Sequence, residues 1–479
     1  MLLAAIILLP FLAALPAAAV HSDRLRPWIV FAASATHLFL TAAILIDPPP
    51  AICGGWVGLD PPGELVLLLT SILFFICTLY GTGYLRQWPG RFNRVLAPCL
   101  LGFLGGATLM TCSQQLGLIW IAMETTALCT APMIYFRRTP ESIEATWKYL
   151  LICSVGIAIA LLGSFFLVYA FLVHHHTPGL LFSQLVAHAR DADPVWLKMA
   201  FVLLLIGYGT KMGLAPMHTW KPDAYGEVPG IVGALLAGVL TSCAFLAILR
   251  IMRVCEAAGM RAYTGHLLIA IGIFSMAVAA VFLMGQKDFK RMLAYSSVEQ
   301  MGILALGAGI GGPALYGALL QMINNGLTKG MLFLSAGNIH RAYGSKSSDN
   351  VHGAVRREPV SGTLFMLGFL AITGSPPFGP FVGIFTILKA AFVDHLFLLG
   401  AAFVGLLLLV FLGMGRTVLA VTMGRPLPGR LYHTQFRDSF LSVAPPLMLL
   451  ALILLLGLHV PAPLVKLLHQ AQRYIEVSP

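Results

Sequence analysis

Fourteen stretches of this 479-residue chain stay apolar over the roughly 20 residues a helix needs to cross a bilayer, and nothing else constrains its fold so strongly. They cover about 2–20, 28–46, 65–84, 95–112, 116–135, 148–173, 196–214, 230–250, 263–284, 295–311, 314–339, 361–391, 396–422 and 441–460. Inside a bilayer every backbone polar group must pair internally, so stretches of this length are helices. Only 10% of the residues are charged, where soluble domains carry about 25%. The expected fold class is all-α, a polytopic membrane protein of about 14 transmembrane helices. The N-terminal MLLAAIILLPFLAALPAAAVHSD has a signal-like Ala-rich end but no positive leading region, and reads as the first of these helices.

Charge alternates between successive connections. Those after the odd-numbered stretches hold twenty Lys and Arg, among them Lys221, Lys287, Lys290 and Arg291; the others hold seven, among them Arg250 and Arg253. The positive-inside rule then puts both termini on the outer face of the membrane. The net charge of +11 belongs to these short loops, so it implies no nucleic-acid partner. Eight cysteines lie mostly in apolar segments without CxxC or Cys/His spacing, and read as small core residues. His174-His175-His176 sits at a helix end and reads as a solvated cluster, so no metal or cofactor site is expected. The longest polar stretches, 174–194 and 341–359, are too short to fold as domains around a redox group. Electron chemistry would have to reside in another chain.

The stretch GYGTKMGLAPMHTWKPDAYGEVPG (207–230) stands out within this frame. Lys211 falls at membrane depth, where a lysine costs about 2.5–3.5 kcal/mol on insertion scales. Pro216 follows, in a polar turn with His218, Lys221, Asp223 and Glu227. A proline frees backbone groups that must then face protein or water. Glu124, in LIWIAMETTALCTAPMIY, is a carboxylate at similar depth and the natural partner of Lys211. Lys329 lies in MINNGLTKGMLFLSAGNIH, where Asn324-Asn325-Gly326 reads as an unwound, hydrated kink and His340 closes the segment. Lys389 follows a second Pro/Gly break at Gly374–Pro380, and serves either the path or the outer face. Glu299, in YSSVEQMG, is either a relay member or an interfacial cap. The proton-relay candidates are thus Glu124, Lys211, Lys329 and Lys389, with His218, Glu299, His340 and Asn325 as further relay or loop positions.

Pro-interrupted helices at 207–220 and 370–385 occupy corresponding places in two five-helix halves, a mark of inverted-repeat transporters with discontinuous helices 7 and 12. The expected organisation is three N-terminal helices (1–94), a first repeat of helices 4–8 (95–253), a second of helices 9–13 (254–424), and helix 14 with a tail (425–479).

These residues resemble a known family. The 207–230 stretch is similar to the lysine-bearing seventh helix of the antiporter-like subunits of respiratory complex I, Mrp-type Na+/H+ antiporters and membrane-bound hydrogenases. Glu124 matches the fifth-helix position, DFKRMLAYSSVEQMG (288–302) the tenth helix and NGLTKGMLFLSAGNI (325–339) the eleventh. ESIEATWKYLLICSVGIAIALLG (141–163) and SSVEQMG (296–302) resemble the hydrogenase-4 component F branch, which the short length without a long lateral C-terminal helix also fits. The resemblance implies a chain without bond chemistry of its own. It implies proton movement (or Na+) along a midplane Glu/Lys relay in a prokaryotic cytoplasmic (inner) membrane, driven by a peripheral hydrogenase- or dehydrogenase-like arm through other membrane-arm subunits. Three positions depart from the family: Thr241 and Ser242 stand where the eighth helix often has Lys or His, Asn325 where the eleventh usually has His, and no ionisable group lies near Ile384. A non-pumping membrane scaffold and a subunit of a multisubunit cation/proton antiporter are the alternatives.

Overall fold

The computed structural model describes residues 1–85, 91–173, 179–425 and 436–476; His174–His176, Arg86 and Arg430 lie outside these. Among the described residues the chain is helical, with isolated bridges such as Ile52 to Val57 and no β-strand. The first half contains α1 (Leu2–Ala19), α2 (Arg26–Ile46), α3 (Pro61–Tyr84), α4 (Arg91–Cys112), α5 (Leu116–Ile134), α6 (Pro140–Leu172), α7 (Phe182–Ala187), α8 (Pro194–Met212), α9 (Trp220–Glu227), α10 (Gly230–Leu235) and α11 (Thr241–Ala257). The second contains α12 (Arg261–Leu283), α13 (Phe289–Ile310), α14 (Pro313–Tyr343), α15 (Ala354–Arg357), α16 (Pro359–Ile372), α17 (Gly379–Val393), α18 (Phe397–Met423), α19 (Phe440–Leu458) and α20 (Ala462–Ile475).

Eleven of the described helices are long and apolar enough to span a membrane. The remaining expected stretches differ for physical reasons. Helices α13 and α14 are long but carry Glu299, Gln300, Gln321, Asn324, Asn325 and Lys329 in their interiors. The 361–391 stretch is divided between α16 and α17, which have 14 and 15 residues. Side-chain caps mark several starts: Asp60 for α3, Gln115 for α5, Thr139 for α6, Asp193 for α8 and Asp288 for α13 each accept a backbone N–H.

Both expected breaks are present and end alike. Helix α8 stops at Gly213 (φ 82°), and Leu214 N donates to Gly209 O at 2.9 Å. Helix α16 is followed by Gly374 (φ 77°), and Ser375 N donates to Leu370 O at 3.0 Å. In each case a glycine takes the left-handed conformation and the next N–H returns five residues, satisfying a carbonyl the helix end leaves free.

The sequence expectations need correction at several points. Asn324–Gly326 is no kink, because α14 runs unbroken for 31 residues. Gly326 instead allows close packing: a Cβ on Gly238 would come within 3.3 Å of the Gly326 Cα. Gly238 lies in a single π turn, Leu236–Leu240, joining α10 to α11. Helix α13 begins at Phe289, so Glu299 sits mid-helix and does not cap it. Arg250 is no loop residue: α11 continues to Ala257, and the guanidinium bonds Asp60, Met110 O and Thr111 O in the interior. Lys290 is buried and donates to Val228 O at 2.8 Å. Lys221, counted among the loop cations, is fully enclosed.

Candidate functional site

Lys211 is the penultimate residue of α8, where the carbonyl ends of the helix favour a cation. Helix α8 packs on α6 through Gly207 and Gly156, small enough to bring the two backbones together. Lys211 is 0% exposed, and among the described residues its Nζ has no hydrogen-bond partner. The ammonium lies 5.4 Å from the centre of the Tyr149 ring on α6, within cation–π range. Tyr149 is fixed edge-on against Trp220, whose indole N–H donates to Thr210 O at 2.9 Å. The linker after α8 is therefore tied back onto the helix that carries the lysine. Ser275 Oγ of α12, accepting from Ala215 N at 2.9 Å, ties the other side.

Glu124, on α5, is half-buried, with one carboxylate oxygen sealed from solvent and without a partner among the described residues. Both Glu124 and Lys211 lie within electrostatic reach of the Cys153 thiol on α6. They flank the same helix, yet no ion pair joins them among the described residues.

The second group lies on α13 and α14. Lys329 is 0% exposed; its Nζ donates to Leu293 O at 3.0 Å and Ser296 Oγ at 2.8 Å. Buried Glu299, one turn further along α13, is within electrostatic reach of Lys329. Its Oε2 accepts from Gln300 Nε2 at 2.9 Å, while Oε1 is sealed and has no partner among the described residues. Gln321 Nε2 extends the chain by donating to Gln300 Oε1 at 2.6 Å. The amides of Asn324 and Asn325 are buried with no partner among the described residues. So many sealed polar atoms along one stretch call for small polar partners, and water fits such sites.

The remaining expected positions are dispersed. His218 is buried in the α8–α9 linker near Phe282 and Tyr295. His340 lies near the other end of α14, with its Nδ1 3.1 Å from Arg137 Nη2. Lys389 is exposed, four residues before the end of α17, and no hydrogen bond or ion pair among the described residues joins it to the buried groups.

Sequence reasoning missed Lys221. Helix α9 packs on α13, and Lys221 Nζ donates to Ser297 Oγ at 3.1 Å. The acids of the same turn are engaged elsewhere: Asp223 pairs with Lys148 and Arg291, and Glu227 with Lys346. A lysine beside Pro222 and Asp223 reads as solvated in sequence; only the packing of α9 inward hides it.

A membrane body helical throughout its described residues, with a broken, lysine-bearing helix and a buried lysine and glutamate beyond it, defines an antiporter-like membrane subunit. Residues 113–410 match the family described as NADH:quinone oxidoreductase/Mrp antiporter, TM, and the chain belongs to that family. It is 34% identical over 420 residues to the hydrogenase-4 component F homolog of Methylacidiphilum infernorum (isolate V4), covering 84% of this chain and 86% of that one. It is also 25% identical over 439 residues to a Na(+)/H(+) antiporter subunit of Bacillus subtilis (strain 168), covering 88% and 87%. The fold matches a chain of the archaeal membrane-bound sulfane sulfur reductase with a TM-score of 0.88, 22% identity and coverage of 99% and 97%. A chain of respiratory complex I from Thermus thermophilus matches at 0.83, with 20% identity and 99% coverage of both.

Proposed function

We propose that this chain is a proton-translocating antiporter-like subunit of a redox-driven complex, hydrogenase-like or complex I-like, in a prokaryotic inner membrane. It crosses fourteen times with both termini outside, and its two repeats (95–253 and 254–424) each contain one glycine-terminated helix break. The observation that carries the reading is Lys211: a fully enclosed side chain that makes no carboxylate contact among the described residues, with half-buried Glu124 acting on the same α6 thiol. A buried charge without a close partner is costly, so movement of Glu124 toward or away from Lys211 changes the energy of holding that charge inside the protein. Released protons pass toward Lys329 and Glu299, and water solvates the amides between α13, α14 and α17. Other membrane-arm subunits and a peripheral redox arm supply the driving motion.

The rival reading, a non-pumping scaffold, draws on the hydroxyls at the π turn. Thr241 Oγ1 and Ser242 Oγ donate to carbonyls of their own helix, Ala237 O and Gly238 O, and neither group titrates at accessible pH. Redox-driven proton uptake by the intact complex separates the two. Lys211→Ala and Glu124→Gln should each abolish or sharply slow uptake while electron transfer continues. Unchanged uptake in both variants refutes translocation through this site.

A further inference from the structure

We propose that Lys221 is a protonatable station between Lys211 and Lys329, supplying the titratable group that Thr241 and Ser242 lack. The inference rests on the relay reading above and deepens it.

Four observations support it. First, Lys221 is 0% exposed, and its Nζ bonds a serine hydroxyl, Ser297 Oγ. An ammonium has three donors, and a lysine held for structure alone is ordinarily paired with a carboxylate. Second, Ser297 adjoins Ser296, whose hydroxyl accepts from Lys329 Nζ at 2.8 Å. Two lysines from different elements thus bond neighbouring hydroxyls on one helix. Third, the Cys153 thiol lies within electrostatic reach of Lys211, Glu124 and Lys221 together, so Lys221 borders the first cluster as well as the second. Fourth, the α8 break makes room for it. A Cβ on Gly213 would lie 2.6 Å from Lys221 Nζ, so the bare backbone two residues beyond Lys211 is what the ammonium rests on.

The transfer balances simply. One proton leaves Lys221 Nζ toward the serine hydroxyls, each hydroxyl takes up one proton and gives up another, and one proton arrives on Lys329 Nζ. Lys221 becomes neutral as Lys329 becomes cationic, so the path never has to carry both charges at once.

The test compares Lys221→Met, Lys221→Arg, Ser297→Ala and Lys211→Ala in the intact complex in proteoliposomes. Electron transfer and proton uptake are measured together. Lys221→Met should keep electron transfer and lose uptake by about a hundredfold, the lower end of what a positioned proton carrier contributes. Lys221→Arg should lose it similarly, because a guanidinium keeps its proton; uptake retained in Lys221→Arg but lost in Lys221→Met would assign a fixed-charge role and overturn the station. Ser297→Ala should slow uptake several-fold, and it decides the matter if the Lys221 variants do not assemble: wild-type uptake then overturns the proposal. If Lys211→Ala abolishes uptake while Lys221→Met and Ser297→Ala pump normally, Lys221 fails and the relay stands. If Lys211→Ala also pumps, the relay reading itself is wrong.

Discussion

Removing the Arg250 side chain should destabilise the protein more than any change to its surface charges. Arg250 Nε and Nη2 donate to the two Asp60 oxygens at 2.9 and 2.7 Å, and Nη1 and Nη2 reach Met110 O at 3.0 Å and Thr111 O at 2.7 Å. Both side chains are buried, at 2% and 3% exposure. This one group therefore joins α11 to the start of α3 and the end of α4. In Arg250→Met the methionine fills much of the volume, but Asp60 stays buried without its counter-charge. Breaking one partner of such a pair costs about 3–5 kcal/mol. Asp60 also caps α3, accepting from Gly63 N at 2.9 Å, which adds about 1 kcal/mol to the cost of losing its oxygens. Asp60→Asn keeps the cap acceptor and removes the charge, so the double variant Asp60→Asn/Arg250→Met should lose far less than the sum of the single changes. Denaturant unfolding in detergent micelles, read as a double-mutant cycle, measures this. Single variants within about 0.5 kcal/mol of wild type, or additive losses, would refute the reasoning; that size is ordinary for a surface site.

Three further outcomes follow from the packing. Lys389→Gln should leave proton uptake by the intact complex unchanged, because Lys389 is exposed near the end of α17. Gly302→Val should destabilise by about 1–3 kcal/mol in the same unfolding assay, since a Cβ there would meet Gly272 O at 2.6 Å where α12 crosses α13. Asp223→Asn should cost no more than about 1 kcal/mol and do so mainly at low salt, because its partners Lys148 and Arg291 are 45% and 44% exposed.

Long apolar runs dictated that the chain forms membrane helices, since lipid leaves a spanning backbone no other way to satisfy its hydrogen bonds. The same logic exposed both helix breaks, where Gly and Pro in apolar surroundings leave local marks, and it singled out Lys211, Glu124 and Lys329 by their depth. Sequence could not say where α9 turns, because its short polar-aromatic run has no face that a period would reveal. Lys221 was accordingly counted among the loop cations and found enclosed against Ser297. Asn324–Gly326 looked like an interruption, yet α14 passes straight through it, because what the small residue serves is the approach of another helix. Arg250 was assigned to a loop for want of any sign that Asp60, 190 positions away, would receive it. One-dimensional pattern reports whether a residue suits lipid or water. Which charges meet inside, and which carbonyl or hydroxyl each one finds, was decided only when helices distant in sequence packed together.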